Sequence, residues 1–170
     1  MTETPQDFDF DKWLDDAERP QRSVTVYQKS GLIADLDALE ARILAAEDDE
    51  DVDGPSMAGG PAKLRAEYQK LAKQFHDSAL TIRVQGHDDE EKRQFAIANK
   101  GDADLVYIVL ADAIQSPKAT PAQLKRLAEK VGEVQFGQIL TAYHQASTEI
   151  PTVSADFLPK PSTQDDGGES

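Results

Sequence analysis

The chain has no cysteine. That removes disulfides, thiolate metal sites and cysteine nucleophiles, although it leaves the compartment open. The three histidines, His76, His87 and His144, stand at no metal-pair spacing, and no H-E-x-x-H occurs. No stretch approaches the roughly 18 consecutive apolar residues of a membrane span. The opening MTETPQDFDFDKW is acidic without a long apolar run, which is not the pattern of a signal peptide. Gly59-Gly60-Pro61 lacks the Lys-Ser/Thr that would make a phosphate loop, and there is no G-x-S-x-G elbow. Apolar residues are 39% of 170 positions, enough for one modest core.

Acid is plentiful, and its distribution is uneven. The net charge is −14. Residues 1–20 hold seven acids and two bases, 47–53 (EDDEDVD) six acids, and 148–170 five acids and one base. Subtracting these segments leaves the remainder at +1. The acidity therefore belongs to solvated arms and not to a packed, DNA-mimicking face. Strong negative charge also disfavours nucleic acid and anionic lipid as partners.

Periodicity divides the chain into an acidic flexible arm (1–20), a single mainly helical domain (21–147) and a disordered tail (148–170). An acidic Gly/Pro linker (47–60) lies inside the domain. In the arm, Phe10, Trp13 and Leu14 share a helical face that Pro20 ends. RSVTVYQ alternates like a short strand. From Ser30 to about Ala46, Leu32, Leu36, Leu39 and Ile43 form one helical stripe. From Pro61, Leu64, Tyr68, Leu71 and Phe75 repeat it, so the two segments read as an antiparallel αα-hairpin. LTIRVQG alternates again, and pairing it with RSVTVY would join the two feet of the hairpin. Helical patterns follow from Asp88, then through Leu105–Leu110 and on to Ile114. Another starts at a Thr120-Pro121-x-Gln123 capping box, with Gly132 as a stop or kink. Phe136, Ile139, Leu140 and Tyr143 make the last stripe. The expected fold is mainly α: an αα-hairpin, a short two-stranded β element and a C-terminal helical group, with disordered acidic termini.

Chemistry finds little footing. Asp49–Gly54 resembles the start of an EF-hand loop, but position twelve is Gly60 where a bidentate Glu is needed. No catalytic residue, metal site or cofactor is assigned. Paired carboxylates abound in segments too mobile to hold a catalytic geometry. Lys63, Arg65, Lys70, Lys73, Lys125, Arg126 and Lys130 read as solvated helix faces. The large apolar groups Phe8, Phe10 and Trp13 stand out in their acidic arm. They either dock on the body, the favoured alternative, or anchor a partner. Candidate partner-binding residues are these three with Leu64, Tyr68, Leu71, Phe136, Ile139 and Tyr143.

The FDFDKWLDDAERPQRSVTVYQKSGLIADLDALEARI opening, the LTIRVQG strand, the PAQLKRLAEKVGEVQFGQILTAYHQAS segment and the STEIPTVSADFLPKPS tail occur in this order. Together they resemble the tail assembly chaperones of long-tailed phages that infect actinobacteria. The resemblance implies a non-enzymatic protein of the host cytoplasm that keeps the tape-measure protein soluble. It implies the tail-tube protein as a further partner, and it admits a homo-oligomer. A longer form made by ribosomal frameshifting is common in that family. The alternative is a minor structural component of the virion, in the tail or connector.

Overall fold

The computed structural model describes residues 8–50, 60–154 and 156. Its frame is a three-stranded antiparallel sheet of β1 (Gln21–Tyr27), β2 (Ala79–Gln85) and β3 (Ile114–Ser116), in that spatial order. RSVTVY and LTIRVQ do pair, with Val24 opposite Ile82 and Val26 opposite Leu80. Two-residue periodicity therefore places these apolar side chains on one face. Thr25 and Thr81, also opposite each other, share a hydroxyl hydrogen bond of 3.0 Å on the exposed face.

A two-stranded ribbon alone is marginal. It is covered by α6 (Pro121–Thr148) and extended by β3, whose first residue, Ile114, the sequence reading placed at the end of a helix. Helix α5 (Leu105–Ala113) stops one residue short of Ile114, whose backbone turns extended and pairs with Val84. Pro117 keeps the helix from running on, since Ser116 before it avoids helical dihedrals. Burial of Ile114 in the core supplies the rest.

That core joins Val26, Ile82, Val84, Leu110, Ile114, Leu124, Phe136 and Ile139. Helix α6 begins with the expected box: Thr120 Oγ1 accepts from Gln123 N at 3.2 Å, and Gln123 Oε1 accepts from Thr120 N at 2.9 Å. Gly132 interrupts it with φ 83° and ψ 166°. The break re-aims the helix, so Leu124 on one side and Phe136 and Ile139 on the other both reach the core. Helix α4 (Asp89–Ala98) has a capping box of its own, Asp88 with Glu91, which the sequence reading did not single out.

The strands β1 and β2 are joined by the predicted hairpin, α2 (Leu32–Glu50) and α3 (Gly60–Asp77). Helix α2 runs four residues into the acidic stretch expected to be linker, which corrects that boundary. The antiparallel arrangement explains the continuation. Helix α2 carries seven acids and one base, whereas α3, packed beside it, carries four Lys/Arg and two acids. The α3 N-terminus, the positive end of its dipole, lies beside the acidic end of α2. Arg65 pairs with Glu47 across the gap. Within the expected arm, α1 (Phe10–Asp15) is helical and stops before Pro20; Asp9 caps it, accepting from Lys12 N at 3.1 Å. Helix α6 ends at Thr148, next to the boundary expected at residue 147. The rest of the expected linker, residues 51–59, lies outside the described residues, as do 1–7, 155 and 157–170 of the expected arm and tail.

Candidate functional site

The hairpin stands apart from the core under α6. Helices α2 and α3 pack chiefly on each other, and none of their residues belongs to the core under α6. Leu36 and Leu39 of α2 are buried in the seam. On α3 no residue is buried; Leu64, Tyr68, Leu71 and Phe75 are half-exposed along their stripe. A two-helix pair covers only one side of each apolar stripe, so the α3 stripe stays partly exposed along its length. Its foot is fixed by Phe75, whose ring stacks on Tyr27 with centroids 4.2 Å apart. Ile33 and Leu44 add exposed apolar surface on α2.

The second uncovered surface is α1. Phe8, Phe10 and Trp13 cluster with ring centroids 5.6 to 6.4 Å apart. They remain 41%, 63% and 54% exposed, and Leu14 is 52% exposed. The favoured expectation, docking on the chain's own body, is therefore corrected. The linker that follows is anchored instead: both Glu91 carboxylate oxygens accept from Arg19 at 2.7 Å, and Pro20 O accepts from Gly86 N. Arg19, with help from the backbone N–H of Asp88, holds the Glu91 carboxyl below its ordinary value.

Three candidate residues sit elsewhere than expected. Phe136 and Ile139 are core residues, 7% and 0% exposed, and offer no open stripe to a partner. The stripe was real, but it faces the sheet. Tyr143 is half-buried beside His87, and burial pushes its hydroxyl above the ordinary phenol value. Leu64, Tyr68 and Leu71 come together in the hairpin seam, apart from the α1 aromatics.

His87 is the buried polar residue that the sequence reading underrated. Its Nε2 lies 2.8 Å from Asp112 Oδ2 and its Nδ1 3.1 Å from the Tyr143 hydroxyl. Its backbone N–H donates to Ser147 Oγ at 3.2 Å, and the Phe95 ring lies 5.2 Å away. This joins the exit of β2 to α4, α5 and α6. The Ser147 hydroxyl meets the His87 backbone and donates to Tyr143 O, not to the imidazole, so serine, histidine and aspartate do not form a nucleophilic relay. A strand exit reading Gly-His, with no room beside the glycine, was the available signal. Among the described residues no three His, Asp or Glu side chains gather as a metal site, and no helix is long and apolar enough to cross a membrane. No family of known proteins, no curated protein and no solved structure matches this chain.

Proposed function

We propose that the chain is a tail assembly chaperone of a long-tailed phage, acting in the host cytoplasm. It binds the tape-measure protein and keeps it soluble while tail-tube subunits are recruited, and it performs no chemistry of its own. The resemblance of its ordered segments to that family motivates the proposal. The observation that carries it is the α2–α3 hairpin, with an 18-residue helix that buries no residue. A tape-measure protein is a long series of amphipathic helices that aggregate when unpaired. One such helix laid along the half-covered seam would complete a three-helix arrangement of the coiled-coil kind. The acidic segments flanking the folded body would keep the complex dissolved.

Co-expression tests the proposal. A tape-measure protein from the same phage should move from the pellet to the soluble fraction when the chain is present, and should co-purify with it. An unchanged soluble fraction contradicts holding activity.

A further inference from the structure

Beside the N-terminal half of α6 the sheet is incompletely covered. A groove of about 540 Å³ opens there, floored by Val26, Leu80, Leu127 and Val131. An apolar notch of about 180 Å³ continues it past Leu80 and Leu127 toward Leu124 and Pro117. Leu80 points to the core side of the sheet, opposite Val26, yet is 38% exposed because no described residue lies over it. Arg126 and Lys130, one helical turn apart, line the groove, and neither has an acidic partner within ion-pair distance among the described residues. Asp77 also lines it, but is engaged by Lys73. The groove is therefore apolar within and largely cationic at its rim.

The same chain carries the complement of this surface. On and beside α1, the exposed Phe8, Phe10, Trp13 and Leu14 are interleaved with Asp9, Asp11, Asp15 and Asp16, against one Lys12. Aromatic anchors set in acid fit an apolar groove with a basic rim.

The arm of the same copy is badly placed to fill it. Arg19 and Pro20 are held at the Gln21–Gln85 end of the sheet. The groove lies at the other end, by Gln28 and Ser78. At about 3.3 Å per residue, β1 separates Gln21 from the groove's near edge at Val26 by roughly 17 Å. Residues 16–20 span at most about 17 Å fully stretched. Reaching its own groove would require a taut linker and loss of the Arg19–Glu91 pair.

We infer that the groove receives the α1 segment of a second copy. Two copies exchanging arms satisfy both grooves and both aromatic clusters in a closed two-fold dimer. This goes beyond the proposed chaperone activity, because it concerns a surface distinct from the hairpin seam.

Trp13 is the chain's single tryptophan, so its emission reports arm burial directly. Sedimentation and tryptophan fluorescence of the full chain over a concentration series form the test. The expected result is a dimer whose formation shifts Trp13 emission to shorter wavelength over the same concentrations, and which added salt dissociates. Trp13→Ala and the double variant Arg126→Glu/Lys130→Glu alter exposed side chains, so both should keep the wild-type circular dichroism. Each should dimerise at least about tenfold more weakly than wild type. Mixing the two variants should partly restore dimerisation, because one of the two arm–groove contacts in the heterodimer, the intact groove with the intact arm, is complete. A monomer at every concentration, a dimer with unmoved Trp13 emission, or variants that dimerise like wild type would each overturn the inference. So would a blue-shifted emission independent of concentration, which means docking within one copy.

Discussion

The side chain of Gln135 hydrogen-bonds both backbone groups of Tyr27: Tyr27 N donates to Oε1 at 2.7 Å, and Nε2 donates to Tyr27 O at 3.1 Å. Tyr27 is the last residue of the edge strand β1, and these groups point away from β2. The amide of Gln135 thus acts as a one-residue extension of the sheet and ties the foot of the hairpin to α6. Gln135→Ala should destabilise by about 1–2 kcal/mol, since it leaves two partly buried backbone groups without partners. Urea unfolding checks this; a midpoint equal to that of wild type contradicts the assigned role.

Gly86 and Gly132 are constrained for different reasons. A Cβ on Gly86 would lie 2.2 Å from the carbonyl oxygen of Ala146, a backbone atom that cannot swing away. Gly86→Ala should cost on the order of 2–3 kcal/mol by forcing α6 off the sheet. At Gly132 a Cβ meets nothing within 4 Å, and the constraint is φ +83° alone. At φ 83° and ψ 166° the backbone lies in a region that essentially only glycine occupies, so Gly132→Ala should cost about 1–3 kcal/mol. Thermal unfolding of both variants checks these expectations; a wild-type melting temperature for either contradicts the constraint assigned to it.

The Arg19–Glu91 contact gives a defined pH dependence. Glu91 is held below its unfolded value, so its contribution is present above that value and lost as pH falls through the folded one. Glu91→Gln removes this ionisation. Melting temperatures measured from about pH 6 down to pH 3 should therefore fall less steeply for Glu91→Gln than for wild type. Parallel curves would show that the ion pair is not formed in solution.

The hairpin and the body should be separable. The core cluster contains no residue of α2 or α3, and Tyr27 already lies opposite Ala79. Replacing residues 28–78 by an Asn-Gly turn should leave β1 and β2 paired as a tight hairpin. The shortened protein should unfold cooperatively while losing the proposed binding of the tape-measure protein. Loss of cooperative unfolding would show that the hairpin is part of the core.

Much of this architecture was legible in the residues. The two leucine stripes, the strand pair at their feet, the Thr120 box and the Gly132 break all rest on local periodicity or backbone chemistry, which one sequence displays. What was missed depends on tertiary contact. Ile114 looked helical beside its neighbours and became a strand because Val84 offered a ladder. Phe136 and Ile139 had the spacing of an exposed stripe, but spacing cannot say which way a stripe faces. His87 gained its place from Asp112 and Tyr143, 25 and 56 residues away. The charge of the α2 end suggested a linker, and the basic helix packed beside it was the offsetting factor. Of the candidate site, the α1 aromatics and the α3 stripe remained accessible, whereas the α6 residues did not.

Hydrogen exchange on the purified chain, with and without an amphipathic fragment of the tape-measure protein, tests the central claim most directly. The account predicts slowed exchange concentrated in Leu32–Glu50 and Gly60–Asp77, with the amides of β2 and α6 unchanged. Exchange in the hairpin that stays as fast as in the free protein, while the fragment is demonstrably bound, would contradict it.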